Sequence, residues 1–269
     1  MEIKVLGPLE ARENDTSVLP TAAKPRQIFT LLALAAGSVV PTFVLMEELW
    51  SGVPPRTAST TLQTYILQLR RRIEAATGRP GRHSSKDILR TGSNGYVLEV
   101  DPEDIDLNWY ERLAAAGRAA FAAGFFEQAS LLLRQALAVW RGPALVDLPF
   151  GSQLRIEVTR LEENRLDLLQ QRIDADLCLG RHQAVLGELS ALCGKYTWHE
   201  DLAARYMVAL YRCGRRPQAL GVYHKLRGQL VNEYGLEPSS RLQHLHSAIL
   251  ADAPNLEEPS SNFLKRPIA

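Results

Sequence analysis

Apolar and polar residues alternate in short segments at the start of the chain and follow a helical spacing further on, with the change near residue 101. The early alternation is typical of strands, and the pair Gly7-Pro8 divides its first two segments. This pattern predicts strands at 2–6, 9–12 and 17–21.

A helical spacing of apolar residues begins after Lys24 and is interrupted twice by turn-forming segments. Pro25 suits the first turn of a helix, Gly37 suits a helix end, and Thr42 is expected to cap the next helix. Helices are therefore predicted at 25–36, 42–50 and 57–76, and Gly78 and Pro80 are expected to stop the last one.

A hairpin is predicted directly after the third helix. Two alternating segments, 88–91 and 96–100, flank the sequence Gly92-Ser93-Asn94-Gly95, and Gly and Asn favour tight hairpin turns. Strands, three helices and a closing hairpin together predict a winged helix-turn-helix over residues 1–100, in the variant that carries an N-terminal sheet.

The rest of the chain is predicted to be almost entirely helical. Gly180 and Gly214 lie 34 residues apart in similar surroundings, which is the tetratricopeptide period. The predicted fold class is mainly α with small β, in which the winged helix precedes an all-α tetratricopeptide-like domain over 101–251, and Pro and Ser indicate a flexible tail over 252–269. Helices are expected at 107–123, 125–141, 152–179, 182–195, 200–213, 216–234 and 239–251.

The third helix carries the clearest functional signal. At about 100° per residue, its larger apolar side chains fall on one stripe, which must face the core. No acid occurs between residues 56 and 73, whereas a merely solvated helix usually mixes Glu with Arg. The core stripe consists of Leu62, Ile66, Leu69 and Ile73, and the opposite face carries Thr60, Thr64, Leu67, Gln68 and Arg71.

Hydroxyl, amide and guanidinium groups in this pattern are those that hydrogen-bond base edges and phosphates, so the helix is predicted to contact DNA. Lys24 and Arg26 are candidate phosphate anchors, and the hairpin is expected to contact the adjacent backbone or minor groove. Arg70 lies nearer the side of the helix, where a pair with Glu74 is the alternative to DNA. The candidate DNA-binding residues are Lys24, Arg26, Thr57, Ser59, Thr60, Thr61, Thr64, Gln68, Arg71, Arg72, Arg90, Thr91, Ser93 and Asn94.

Charge supports a nucleic-acid partner. The whole chain has a net charge of only +1, but residues 56–96 contain eight Lys or Arg against Glu74 and Asp87. The alternatives are a helical interaction scaffold whose basic domain binds RNA or protein, and a ligand-responsive regulator with a groove between its helical repeats.

Other classes of protein are disfavoured. No apolar run has the length of a membrane span, and the start of the chain has no signal-peptide core, so a cytoplasmic protein is expected. Three cysteines without CxxC spacing predict neither a disulfide framework nor a zinc site. No catalytic motif is present, so we expect no enzyme activity, no metal and no cofactor.

Several segments in combination resemble the Streptomyces antibiotic regulatory protein family. The similarity covers about residues 2–251 and extends through the helical half, which resembles that family's bacterial transcriptional activation domain. It is carried by KPRQIFTLLALAAGSVVPTFVLMEELW, TASTTLQTYILQLRRRIEAATG, LRTGSNGYVL, DIDLNWYERLAAAGRAAFAAG, ALAVWRGPALVDL and LYRCGRRPQALGVYHKLRGQLVNEYGLEPSSRLQHLHSAIL.

This resemblance implies an activator of an antibiotic or other secondary-metabolite cluster, most similar to short members that activate polyketide clusters. The winged helix would be of the OmpR type found in phosphorelay output domains. A head-to-tail homodimer would bind direct repeats near the −35 region of double-stranded DNA. It would recruit RNA polymerase through sigma region 4, the β flap and the α C-terminal domain. The residues that would face polymerase are Trp50, Ser51, Gly52, Val53 and Arg56, although Trp50 could instead fill the core.

Overall fold

The computed structural model describes residues 1–77, 85–253 and 256. The N-terminal part combines short antiparallel strands with the helices of a winged helix-turn-helix. Its elements are β1 (Glu2–Lys4), β2 (Glu10–Glu13), β3 (Thr16–Ser17), α1 (Ala23–Leu34), β4 (Val40–Pro41), α2 (Thr42–Trp50), α3 (Ala58–Thr77), α4 (Ser85–Ile88), β5 (Leu89–Thr91) and β6 (Gly95–Leu98).

The N-terminal sheet has the order β1-β2-β3, with every neighbouring pair antiparallel. Asn14 and Asp15 join β2 to β3, and both have positive φ, of 47° and 62°. Two successive positive φ values define the type I′ turn that matches the twist of a two-residue hairpin, and Asn and Asp tolerate this conformation. Because this two-residue turn leads directly into β3, the third strand begins earlier than the predicted segment 17–21, and it is also shorter.

The second sheet has the order β4-β6-β5 and forms the wing. Strand β4 was absent from the prediction because two residues are too few to show alternation. A Cβ on Gly95 would lie 2.1 Å from the carbonyl oxygen of Val40, so the close pairing of β6 with β4 requires glycine.

Helix α2 begins differently from the prediction. Its N-cap is Pro41, which makes no side-chain cap, and Thr42 is the first helical residue, so the prediction that Thr42 caps the helix is wrong. The backbone amide of Thr42 donates instead to the carbonyl of Asn94 at 3.0 Å, which ties α2 to the wing turn. The predicted helix stops Gly78 and Pro80 lie outside the described residues, as do Arg79 and Arg82.

The described residues from 102 to 253 are mostly helical, as predicted, and the predicted fold class is confirmed. A short 3-10 helix at Pro102–Asp104 begins this part of the chain. The helices are α5 (Asp106–Ala122), α6 (Phe126–Ala138), α7 (Ser152–Cys178), α8 (His182–Lys195), α9 (Glu200–Arg212), α10 (Arg216–Tyr234) and α11 (Ser240–Leu250).

The chain divides into two compact units, and each unit combines two segments that are separated in the sequence. The first unit consists of Met1–Ala115 and Gln135–Asp167, and the second of Ala116–Arg134 with the described residues from Leu168 onward. Residues beyond 100 thus belong to the same unit as the winged helix. Within it, the Asp106 carboxylate accepts hydrogen bonds from the backbone amides of Val5 and Leu6, at 2.8 and 3.1 Å.

The second unit is a stack of helices joined by glycine turns. Gly124, Gly180 and Gly214 each follow a helix and have φ between 73° and 81°, a conformation that favours glycine. Gly180 and Gly214 are the pair that predicted the repeat. Helices α8 to α11 share one apolar core, to which α9 contributes Ala203, Met207 and Leu210.

Acidification is expected to destabilise the second unit through His246 on α11. Its ring stacks on Tyr223 at 4.0 Å, and its Nε2 is buried without a hydrogen-bond partner. Burial, together with the neighbouring His224, lowers the pKa of His246 below its ordinary 6.5. The unfolded chain therefore binds the proton first, so stability is fully present above about pH 6.5 and falls as the pH drops below that value.

Urea unfolding at pH 5.5 and pH 7.5 measures this effect. A His246→Phe variant keeps the ring contact and should lose much less stability on acidification than the parent chain. His244→Phe is the matched control, because His244 is exposed two residues away on the same helix. Equal pH dependence in the parent chain and the His246 variant would contradict this role.

Candidate nucleic-acid interface

Helix α3 is amphipathic, and its apolar stripe holds it in the first unit. Leu62, Ile66, Leu69 and Ile73 are all buried, with at most 2% of each residue exposed. The spacing of these residues over three turns predicted this stripe. A helix fixed along its length in this way presents its other face as a rigid surface.

The opposite face of α3 is exposed and polar. Thr60, Thr64, Gln68 and Arg71 follow one another along the helix at spacings of three or four residues, and all four are exposed. The Thr64 hydroxyl donates to the carbonyl of Thr60 at 2.9 Å, so its oxygen can still accept a hydrogen bond. Of the remaining candidates on or beside α3, Thr57, Ser59 and Arg72 are exposed, and Thr61 is half-buried.

Arg70 joins α3 to the wing. Its Nε and Nη2 donate to the carbonyl of Leu89 at 2.9 and 2.8 Å, and Nη2 also donates to the Thr91 hydroxyl at 2.8 Å. The alternative of an ion pair with Glu74 is therefore wrong. Sequence spacing could not show this contact, because it joins residues 19 and 21 positions apart. Arg70 fixes the wing strand against the helix that carries the exposed polar face.

The candidate residues of the wing lie at the surface, and some of them are already bound to other side chains of the protein. Thr91 is engaged by Arg70, and Arg90 forms an ion pair with Glu99 across the hairpin at 2.8 Å. Ser93 and Asn94 are exposed at the turn. A phosphate would therefore compete with Glu99 for Arg90.

The two candidate anchors at the start of α1 also have partners within the first unit. The ammonium of Lys24 lies 5.0 Å from the centre of the Trp50 ring, as a cation–π contact. Arg26 donates to the carboxylate of Asp147, and its own Nε is buried without a hydrogen-bond partner. Burial acts to raise the pKa of Asp147, but hydrogen bonds from Leu9 and Arg26 outweigh it and hold the pKa below its ordinary value.

The loop between α2 and α3 is exposed from Ser51 to Thr57. Ser51 adopts a left-handed backbone conformation with φ of 48°, and Gly52 follows with φ of 84°, which turns the chain sharply away from α2. Val53 is 81% exposed. Trp50 is half-buried beneath Lys24, so it neither fills the core completely nor stands free.

A buried carboxylate fixes the end of α2 just before this loop. Glu48 is 2% exposed, and it accepts hydrogen bonds from the backbone amides of Gly151, Gln153 and Leu154 at 2.7, 3.0 and 2.9 Å. These amides form the start of α7, where unpaired N–H groups favour a negative charge. A Cβ on Gly151 would lie 2.1 Å from the Glu48 carbonyl, so this approach also requires glycine.

In the described part of the chain, no three His, Cys, Asp or Glu side chains come together in a way that could hold a metal ion. None of the described helices is both long and apolar enough to cross a membrane. Cys178, Cys193 and Cys213 form no disulfide bond.

Two protein families match the two halves of the sequence. The family described as bacterial transcriptional activator domain matches residues 105–250, and the family described as transcriptional regulatory protein, C terminal, matches residues 16–98. The chain is 53% identical to regulatory protein DnrI of Streptomyces peucetius over 257 residues, which cover 96% of this chain and 94% of that protein. It is 34% identical to transcriptional regulator RedD of Streptomyces coelicolor, over 97% of this chain and 73% of that protein.

A solved structure has the same fold. Mycobacterium tuberculosis EmbR, in complex with a low-affinity phosphopeptide, superposes with a TM-score of 0.86 at 30% identity. The match covers 94% of this chain and 65% of that chain. On the strength of both domain matches and these relatives, the chain belongs to the Streptomyces antibiotic regulatory protein family of DNA-binding transcriptional activators, with an OmpR-type winged helix before a bacterial transcriptional activation domain.

Proposed function

We propose that the exposed face of α3 enters the major groove of double-stranded DNA and reads base edges there. The observation that carries this proposal is the rigid, acid-free polar surface opposite the buried stripe of α3. Gln68 suits a bidentate contact with adenine, and Arg71 suits one with guanine. The N-terminal turn of α3 adds hydroxyl groups and backbone amides that suit phosphate, and it carries Thr57, Ser59, Thr60 and Thr61.

Phosphate contacts are assigned to the start of α1, to Arg72 on α3 and to the wing. Lys24, Arg26 and Arg72 supply charge, while Arg90, Thr91, Ser93 and Asn94 supply charge and hydrogen bonds beside the groove. Arg26 is paired with Asp147 and Arg90 with Glu99 in the structure, so DNA must compete with these two carboxylates for the arginines. Such contacts set the position of the protein on the duplex, whereas α3 sets the sequence.

Lys24→Ala is expected to weaken binding to all duplexes by a similar factor and to flatten the slope of log affinity against log salt concentration by about one. The reason is that a phosphate contact releases a counterion whatever the base sequence. Fluorescence anisotropy between 50 and 200 mM salt measures both quantities. Lys4→Ala is the control, because Lys4 pairs with Glu2 on β1. A loss confined to one base position would contradict the phosphate role.

At a promoter, the proposed target is a pair of direct repeats near the −35 region, bound by a head-to-tail homodimer. The promoter would belong to an antibiotic or other secondary-metabolite cluster, and the protein would act in the bacterial cytoplasm. The loop after α2 is proposed to contact RNA polymerase, through sigma region 4, the β flap or the α C-terminal domain. Its exposure supports this role, and the residues concerned are Trp50, Ser51, Gly52, Val53 and Arg56.

Footprinting on the promoters beside the gene, with and without RNA polymerase, tests this function. Protection of two repeats by the protein alone, and of a longer segment when polymerase is added, is the expected result. A protein that protects no duplex would overturn the DNA-binding role. Protection that polymerase neither extends nor strengthens would overturn the recruitment role and leave DNA binding intact.

A further inference from the structure

The DNA-facing surface of α3 contains one residue that hydrogen bonding does not explain. Leu67 is 47% exposed, in the middle of a helix whose core stripe is fully buried. Between Arg56 and Ile73, where every residue is described, it is the one apolar side chain that is exposed. Ala58 and the four larger core residues of α3 are buried, and Tyr65 is half-buried.

The position of Leu67 matters more than its exposure, because isolated exposed leucines are common on protein surfaces. It follows Thr64 by three residues and precedes Arg71 by four, so these three side chains are neighbours along the helix. Gln68 is next to it in sequence. If Thr64, Gln68 and Arg71 approach base edges in the major groove, the Leu67 side chain also approaches the bases there.

The major groove offers one apolar group, which is the C5-methyl of thymine. A leucine at this position cannot hydrogen-bond to a base, but it loses contact with water when a methyl group covers it. We infer that Leu67 is a specificity-determining residue that recognises the methyl group of a thymine. This thymine lies between the base bound by Arg71 and the base bound by Thr64 or Gln68. This inference rests on the proposed insertion of α3 into the major groove.

Deoxyuridine substitution isolates the methyl group, because uracil keeps every hydrogen-bonding group of thymine and lacks only the C5-methyl. The probe is the duplex that the full chain selects from a randomised library, with each thymine replaced by deoxyuridine in turn. We expect one position in each repeat at which the replacement weakens binding by about 3- to 5-fold, since one buried methyl group is lost. Replacement at the other thymines should have little effect.

The Leu67→Ala variant supplies the second arm. It should bind the thymine and deoxyuridine duplexes with equal affinity at that position. Leu131→Ala is the matched control, because Leu131 is 57% exposed on α6, and it should discriminate as the parent chain does. Since Leu67 is exposed, its truncation should leave the melting temperature of the chain unchanged, and this is measured on the same samples.

Three outcomes would overturn the inference while the proposed function stands. They are specific binding with no effect of deoxyuridine at any position, full discrimination retained by Leu67→Ala, and a selected sequence without thymine in its repeats. If the chain selects no sequence and prefers no duplex, the proposed function itself fails, and the inference fails with it.

Discussion

A chain carrying both Gln68→Ala and Arg71→Ala is expected to bind its selected duplex at least about 30-fold more weakly than the parent chain. Each side chain is proposed to make a bidentate contact worth about 1–3 kcal/mol, and both contacts are lost together. Affinity for unrelated duplexes should fall far less, because phosphate contacts dominate there. Competition binding with selected and scrambled duplexes measures the two affinities at one salt concentration.

The control for this pair is a second double variant, Arg118→Ala with Gln128→Ala. It removes the same two residue types from exposed positions on α5 and α6, and it changes the net charge equally. Its affinity for the selected duplex should stay within about 2-fold of the parent value, because a surface charge away from the contact acts on DNA only over a long distance, where salt screens the attraction. If the two double variants lose affinity equally, the assigned face of α3 does not read the sequence.

Glu48→Ala is expected to lower the free energy of unfolding by about 2 to 4 kcal/mol, because it leaves buried amides at the start of α7 without an acceptor. The substitution removes the partner of Gly151, Gln153 and Leu154 at once. Chemical unfolding followed by circular dichroism measures the loss.

Glu47→Ala is the control, because the Glu47 carboxylate is half-buried and its contact with the Ser152 hydroxyl is long, at 3.5 Å. That variant should lose less than about 1 kcal/mol. Equal losses for Glu47→Ala and Glu48→Ala would show that the buried carboxylate does not stabilise the start of α7. Glu48→Gln, which keeps one acceptor oxygen, should fall between the two.

Local patterns were sufficient to predict α3 and the wing. The buried stripe of α3 repeats at helical spacing, so periodicity alone gives both the helix and its exposed face. The wing follows from Gly92 and Gly95 around a polar pair, because tight hairpins need residues that accept unusual backbone angles. The same reasoning did not find the Asn14-Asp15 turn, since the strands on both sides of it are too short to alternate clearly.

Contacts between distant residues could not be predicted from these patterns. Glu48 is a charged residue of the kind expected at the surface, and only folding brings the start of α7 to its carboxylate. The ion pair between Arg26 and Asp147 joins residues 121 positions apart, so local patterns could not predict it. The compact units likewise combine segments separated in sequence, so a change in texture near residue 101 does not mark the end of the first unit.

Methylation interference on the selected duplex tests most directly whether α3 lies in the major groove. Dimethyl sulfate methylates guanine at N7 in the major groove and adenine at N3 in the minor groove. We expect N7 methylation of guanines within each repeat to block binding of the parent chain, and we expect Arg71→Ala to become insensitive to one of them. Interference at adenine N3 alone, or an identical guanine pattern for Arg71→Ala, would contradict the insertion of α3 into the major groove.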